Sequence, residues 1–543
     1  MLLMLRIFLP YEQVCGTEPC GTAVSAVKTQ AGRLCHSLVA AEGRAMKLGA
    51  IRSFQCVVGI CLILLSIGCD RAPSEPSAAS TSPNVLLVLI DTLRADKLGC
   101  YGSDLGLTPN IDQLAAQGCL FEKAYSHAPW TLPSVSSLLT STYPVRHGAG
   151  GRLGSPRGLT GLASDVRTMA ECYADQGYDT GAIINVLFLS PKFGISRGFD
   201  DYDFRPPRED QRVQRRATEV TDTALTWLKA QKKRSGRPFF YMVHYFDPHL
   251  TYDPPSRFRE KFALPADWNV DPDLFGTEAD MIRLRQGKVD VSLLPLYRLE
   301  HLYNGEIAYA DEQVGRLLAG LEEMGLDDST VVVLTADHGE EFLDHRGFEH
   351  GHTLYDELIH IPLIIRYPEL IKPVRVRAAV GHVDVAPTLC GLAGVQPEST
   401  FQGKSLESLM FGESKKSRAI LSQGNMWGPS LTSLRYGGYK LIRGAGKVAL
   451  YHMAVDPHER HDVSGEEGEG ERRAAMSEVM NNILSRAKTG QGEVVDLSSA
   501  EVKRLGALGY VGGGVEEDEL DGDIGATTRP TSGPASGAGG GSR

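Results

Sequence analysis

Thr131 heads the stretch Trp130-Thr131-Leu132-Pro133-Ser134-Val135. Pro133 suits the first turn of a helix, so the spacing predicts Thr131 just before a helix N-terminus. Unpaired N–H groups and the helix dipole there favour an anionic nucleophile and an anionic substrate, although a plain Thr cap has the same pattern. A second stretch opens with Asp337-His338-Gly339-Glu340-Glu341 and continues through Asp344-His345 to Glu349-His350-Gly351-His352. Four of the chain's 15 His fall in these few residues. Carboxylate plus imidazole is the ligand set of catalytic zinc or manganese sites, where a solvated polar loop is the plainer alternative. Asp91 follows the apolar run Val85–Ile90 and is either a cation ligand or a turn residue. Asp247-Pro248-His249 follows the apolar segment Phe239–Phe246, which also carries His244. An Asp and a His at a strand end can bind metal or protonate a leaving group. Together these residues describe one site: an alcohol at a helix N-terminus, beside oxygen and imidazole groups that can hold a metal. Such a metal lowers the alcohol's pKa and neutralises a sulfuryl or phosphoryl group.

The elements that must position these residues read as an α/β fold. Val85–Ile90, Val332–Thr335 and Ile361–Ile365 are apolar, β-branched runs that suit buried strands. Helical patterns lie at Leu107–Gly118, Thr218–Lys229 and Glu306–Met324. This alternation predicts a large mixed, mostly parallel sheet flanked by helices, with ligands at the carboxyl ends of the strands. Asp91 and Asp337-His338 both fall at such ends. From residue 395 the segments shorten, at 417–422, 431–434, 439–443 and 448–451, with a helical pattern near 471–487. These predict a smaller C-terminal α+β subdomain over 395–512, after a catalytic domain over 84–394. Residues 513–543 are acidic and then Gly/Ser/Thr/Pro-rich, the composition of a disordered tail.

The 543 residues carry a formal net charge of −11, which argues against a nucleic-acid partner. Of the ten Cys, only Cys100, Cys119, Cys172 and Cys390 lie beyond Cys69, without metal-type spacing. Residues 1–45 show no sustained period. Residues 46–69 read as a signal segment, with Lys47 and Arg52 before an apolar run from Cys56 to Ile67 that is short for a membrane span. Leu65-Ser66-Ile67-Gly68-Cys69 resembles a bacterial lipobox, with Ser66 where Leu is usual. Residues 70–83 are a Ser/Pro/Ala linker. The expectation is an exported protein of the periplasm or cell envelope, tethered to the membrane through a lipid on Cys69.

From Asn84 to about Gly512 the chain resembles the sulfatase family of the alkaline-phosphatase-like superfamily. The motifs that carry the resemblance come in order: Ile90-Asp91-Thr92-Leu93-Arg94-Ala95-Asp96, Thr108-Pro109-Asn110-Ile111-Asp112, Gly198-Phe199-Asp200, and Thr335-Ala336-Asp337-His338-Gly339-Glu340. His352-Thr353-Leu354-Tyr355-Asp356-Glu357, Asp384-Val385-Ala386-Pro387-Thr388 and a closing Leu505-Gly506-Ala507-Leu508-Gly509-Tyr510 follow. The last looks like the tail of bacterial lipoprotein-type members. The resemblance implies a divalent cation, calcium by family, held by Asp91, Asp337 and His338 with Thr131. Zinc or manganese is compatible with the His cluster. It implies Thr131 as nucleophile, His249 as a substrate-side His, and His350 or His352 at a basic position. Arg94 is read as substrate-binding. Asp247, His249 and His345 make up a second metal site of the kind found in the superfamily's phosphodiesterases.

Three departures from the family bear on the chemistry. Thr131 stands where sulfatases keep the Cys or Ser that is oxidised to formylglycine. Oxidising Thr gives a ketone, which hydrates poorly, so formylglycine is not expected. Val135 stands where an Arg supports that hydrate. Gly181-Ala182-Ile183-Ile184-Asn185-Val186 lacks the Lys and His of arylsulfatases and leaves Asn185 as a substrate-binding amide. The expected activity is metal-dependent hydrolysis of a sulfate or phosphate ester on a small molecule, glycan or lipid. Thr tilts the chemistry toward phosphate. The rivals are a phosphoethanolamine- or phosphoglycerol-type transferase and an inactive glycan-binding relative.

Overall fold

The computed structural model describes residues 82–151, 158–205, 215–234, 236–262 and 293–507. The signal and lipobox segment, nearly all of the linker and the C-terminal tail lie outside these residues.

Eight strands carry the main sheet: β1 (Asn84–Ile90), β2 (Cys119–Tyr125), β3 (Asp179–Ile184), β4 (Asp201–Phe204), β5 (Phe239–Tyr245), β6 (Thr330–Ala336), β7 (Leu363–Arg366) and β8 (Val374–Gly381). A two-residue strand, His360–Ile361, precedes β7 and makes the ninth. β1 lies at the centre between β5 and β6, parallel to both. β3 and β4 extend the sheet in parallel beyond β5. On the other side β7 runs antiparallel between β6 and β2, and β8 closes that edge parallel to β2. The mixed, mostly parallel sheet is therefore as expected. Ile361–Ile365, predicted as one strand, is broken at Pro362, which has no N–H to give a ladder.

Every residue of β5 and β6 is buried, as is all of β1 except its first residue, as a sheet covered on both faces requires. The covering helices include α1 (Pro109–Gln117), α2 (Thr131–Thr140), α3 (Met169–Asp175), α4 (Ala217–Arg234), α5 (Leu293–Glu323) and α6 (Val385–Ala393). Strand register sets up the site. Ile90 pairs with Tyr245 on one side and Ala336 on the other, so the next residues, Asp91, Phe246 and Asp337, leave the sheet along one edge. β2 runs in the same direction as β1 and delivers the chain through residues 126–130 to the start of α2 at that edge.

The C-terminal part is an antiparallel meander of β9 (Ile420–Gln423), β10 (Leu431–Tyr436), β11 (Tyr439–Gly444) and β12 (Lys447–His452), followed by α7 (Glu469–Arg486) and α8 (Ser499–Ala507). One face packs Met476 and Met480 of α7 over Leu434, Leu441 and Leu450. The other packs Leu431, Ile442 and Tyr451 against Tyr125 of β2 and Leu354 and Leu358.

Candidate functional site

Asp91, Asp337 and His338 meet at the carboxyl ends of β1 and β6, and all three are completely buried. One ligand atom from each lies within 4.8 Å of the others. His338 Nε2 is 3.3 Å from Asp337 Oδ2 and 3.8 Å from Asp91 Oδ1. The other ring nitrogen, Nδ1, lies 2.9 Å from the Gly339 carbonyl oxygen. An N–H at Nδ1 satisfies that carbonyl, and Nε2, which faces the carboxylates, is the nitrogen that can offer a lone pair to a cation. Asp337 Oδ1 accepts the N–H groups of Thr92 (3.1 Å) and His338 (2.8 Å).

Three carboxylate oxygens have no hydrogen-bond partner: both of Asp91 and Oδ2 of Asp337. Burial pushes the Asp91 carboxyl well above the usual carboxylate range, and Asp337 and Glu340 push it further. Burial likewise raises Asp337, against the lowering effect of His338 and of the N–H donors. Unpartnered buried carboxylates are costly unless a cation faces them. Two carboxylates and an imidazole lone pair suit a hard or borderline divalent cation, so these residues fit the group.

Thr131 brings its hydroxyl to the same point. It is the first residue of α2 rather than the residue before it, because Trp130 is the N-cap and Pro133 sits in the first turn. No side chain caps this end. The plain-cap alternative therefore fails: Thr131 Oγ1 lies 3.4 Å from His338 Nε2 instead of turning back on its own helix. Pro133 has no N–H and Ser134 N donates to the Trp130 carbonyl at 3.3 Å, so Thr131 and Leu132 carry the backbone donors that the first turn can offer. Ser134, one turn on, donates to the Asp337 carbonyl at 2.5 Å and ties α2 to the β6 loop.

Two more imidazoles pack beside His338, His350 directly and His249 edge-on behind it. The His350 ring centroid lies 4.4 Å from that of His338 and 5.0 Å from that of His249. His350 Nδ1 is 2.9 Å from Glu340 Oε1, and Glu340 Oε2 accepts the Tyr252 hydroxyl at 3.0 Å. His249 Nδ1 is 2.7 Å from the Leu250 carbonyl and its ring lies on Phe246. Each ring is thus held through Nδ1.

Residues 83–395 match the family model described as Sulfatase, and residues 344–486 match that of the N-sulphoglucosamine sulphohydrolase C-terminal region. The chain belongs to the sulfatase family. Enzymes of this family cleave sulfuric ester bonds and depend on a metal. An N-acetylglucosamine-6-O-sulfatase of Bacteroides thetaiotaomicron is 24% identical over 75% of this chain and 87% of its own. The ulvan-active sulfatase of Formosa agariphila is 26% identical over 77% of this chain and 84% of its own. Among solved structures, a protein in complex with its substrate D-glucosamine-2-N,6-O-disulfate superposes with a TM-score of 0.62 at 22% identity, over 75% of this chain and 98% of its own. The phosphonate monoester hydrolase of Agrobacterium radiobacter superposes equally well, at 0.62 and 21% identity, over 75% of this chain and 96% of its own. Both show a shared fold.

Within this sulfatase fold, several residues singled out in the sequence lie elsewhere. His352 Nε2 binds Glu341 Oε2 at 2.7 Å, and His345 Nδ1 binds Glu357 at 2.6 Å while its ring stacks on Tyr355. The choice between His350 and His352 is thereby made by geometry: His350 faces the site and His352 braces the loop. The second metal site does not assemble. Asp247 Oδ2 accepts Ala217 N at 2.9 Å and so caps α4, and among the described residues Asp247, His249 and His345 form no group that could hold an ion. Asn185 donates from Nδ2 to the His244 carbonyl (3.2 Å) and accepts Arg215 Nε at Oδ1 (2.8 Å), which engages both ends of the amide predicted to bind substrate. Arg94, likewise read as substrate-binding, spends its guanidinium on Asp96, Asp344 and the Glu340 carbonyl. It anchors the 340–344 loop. Val135, in the slot of the family's Arg, is a core residue.

In the sequence His244 stands out without a role, and Thr92 has none assigned; His244 Nε2 lies 3.3 Å from Asp91 Oδ2, and Thr92 adopts φ +53° with its hydroxyl unpartnered. A β-branched residue at positive φ is strained, and such strain collects at functional sites. The signal for Thr92 was its place beside Asp91. His244 carried none beyond being a polar residue inside an apolar strand.

Proposed function

We propose that this protein is a metal-dependent ester hydrolase of the sulfatase family that uses Thr131 itself as the nucleophile, and that phosphate esters are its preferred class. The observation that carries the reading is the Thr131 hydroxyl at the N-terminus of α2, 3.4 Å from His338 Nε2, against the unpartnered oxygens of Asp91 and Asp337. Asp91, Asp337 and His338 Nε2 would hold the cation: calcium by family, zinc or manganese by the imidazole. When bound, that ion supplies positive charge against a sulfuryl or phosphoryl group.

The residues of this chain do the rest. Thr131 passes its hydroxyl proton to the Asp337 carboxylate beside it, and Oγ1 forms a bond to phosphorus or sulfur as the ester's leaving oxygen departs; the proton returns to Oγ1 when water releases the Thr131 ester. The N–H groups of Thr131 and Leu132, in the first turn of α2, stabilise the charge on the transferring group. His249 or His350 gives the departing oxygen a proton. Water then attacks the Thr131 ester and restores the hydroxyl. A sulfated Thr lacks the second hydroxyl by which an aldehyde hydrate expels sulfate, which favours phosphate. Glycan or lipid esters fit an enzyme that we expect to be exported and tethered through Cys69.

The test is hydrolysis of nitrophenyl sulfate, nitrophenyl phosphate and bis-nitrophenyl phosphate by the full chain with calcium, manganese or zinc, wild type beside Thr131→Ala. Phosphoester turnover should exceed sulfate turnover and fall at least about 1,000-fold in Thr131→Ala. Sulfate turnover as the faster reaction would overturn the preference. Turnover indifferent to Thr131 would overturn the mechanism.

A further inference from the structure

His244 lies inside β5, where every other residue from Phe239 to Tyr245 is aromatic, Met or Val. β5 pairs in parallel with β1, and the register sets His244 beside Leu89. Asp91 is two residues beyond Leu89, so His244 and Asp91 project from the same face of the sheet. Both are completely buried, with His244 Nε2 3.3 Å from Asp91 Oδ2. Neither ring nitrogen of His244 has a hydrogen-bond partner, and neither has either oxygen of Asp91. The strand carbonyl of His244 is pinned by Asn185 Nδ2, so the ring is held from its own backbone.

His244 is not a member of the Asp91–Asp337–His338 ligand group. Instead the Asp91 carboxylate lies between the two imidazoles: Oδ1 is nearer His338, at 3.8 Å, while Oδ2 is nearer His244, at 3.3 Å. Carboxylates that bind metal are themselves oriented by outer hydrogen-bond donors, and losing such a donor typically weakens binding about 10- to 100-fold.

We propose that His244 is a positioning residue for the cation centre: its Nε2–H donates to Asp91 Oδ2 and so turns Oδ1 toward the ion held by Asp91, Asp337 and His338. This rests on the cation reading above. It makes β5 part of the metal centre, although the strand contributes no ligand.

The experiment measures manganese binding to the full chain, from the loss of the free-ion EPR signal, in wild type, His244→Ala and His244→Gln. Thermal unfolding of the metal-free proteins and separate kcat and KM values on bis-nitrophenyl phosphate accompany it. The Gln amide nitrogen reaches the place of imidazole Nε2 and can donate the same bond. Manganese affinity should fall about 10- to 100-fold in His244→Ala and recover most of that in His244→Gln. The kcat of the Ala variant should rise toward wild type at saturating manganese, with KM unchanged. Unchanged affinity in His244→Ala would overturn the assignment, as would a Gln variant as weak as Ala, which would make the ring itself a ligand. If the wild type bound no manganese, zinc or calcium, the cation reading would fail and this inference with it.

Discussion

In the proposed mechanism Thr131 attacks and Asp91 holds the cation, and each role can be tested alone. Thr131→Ser keeps an alcohol at the same point and should retain measurable turnover, whereas Thr131→Ala should not. Asp91 is held for function at a cost in stability, because its carboxylate is buried beside those of Asp337 and Glu340 without a hydrogen bond. Asp91→Asn should therefore raise the stability of the metal-free protein by about 1–2 kcal/mol while abolishing the gain on adding manganese. Paired thermal melts with and without manganese check this. A metal-free Asn variant less stable than wild type would contradict it. At this scale the sequence showed a good deal. Asp91, Thr131, Asp337 and His338 come together from residues numbered far apart, because each sits at a strand end or helix start. His249 and His350 join them. Arg94 and Asn185 look equally polar in the sequence, but their partners, Asp344 and Arg215, lie in other segments. His244 was hidden for the same reason, since its pairing with Asp91 depends on the β1–β5 register.

The elements place these groups through buried polar joints that should be sensitive to pH. Asp247 caps α4, and burial pushes its carboxyl up to about 6. The neighbouring Glu306 is pushed well above its ordinary value by burial and by Asp247. Both pKa values are raised on folding, so the folded state prefers the protonated pair. Its contribution is full below about pH 4 and is lost as pH rises through about 6. Asp247→Asn keeps the cap acceptor without the charge. It should flatten the fall in melting temperature between pH 4 and 7, and an unaltered slope would contradict the account. Sequence periodicity found α1, α4 and the core of β1 and β6 because their apolar patterns are continuous. It did not single out β2, where Glu122 and Lys123 interrupt the apolar run. Nor did it find β8, whose Val374-Arg375-Val376-Arg377 alternates as a strand at the sheet edge does. Asp247 and His345 suggested a second metal site by residue type alone, yet one caps a helix and the other braces a loop.

Across the whole molecule, the C-terminal sheet locks the catalytic edge in place. Lys440 of β11 is fully buried, with Nζ 2.8 Å from Asp356 and 2.7 Å from Glu459. Asp356 also pairs with Arg435 of β10. The indole of Trp130, the N-cap of α2, donates to the Gly424 carbonyl just past β9 at 2.6 Å. Removing Lys440 takes the ion-pair partner from the fully buried Glu459, while the part-exposed Asp356 keeps Arg435, so Lys440→Ala should cost about 3–5 kcal/mol in urea unfolding. A loss under about 1 kcal/mol, the scale of a surface pair, would contradict this. The short strands of the C-terminal subdomain were visible as a change of segment length, whereas these cross-links were not, because no local pattern marks a partner 84 or 294 residues away. The central claim, that Thr131 is the nucleophile, is tested most directly by trapping the intermediate. The full chain would be mixed with bis-nitrophenyl phosphate and manganese, acid-quenched within one turnover and digested for peptide mass spectrometry. The account predicts a phosphoester on the peptide carrying Thr131, dependent on manganese and absent from Asp91→Asn. Rapid turnover with no adduct on Thr131, or an adduct on another residue, would contradict it.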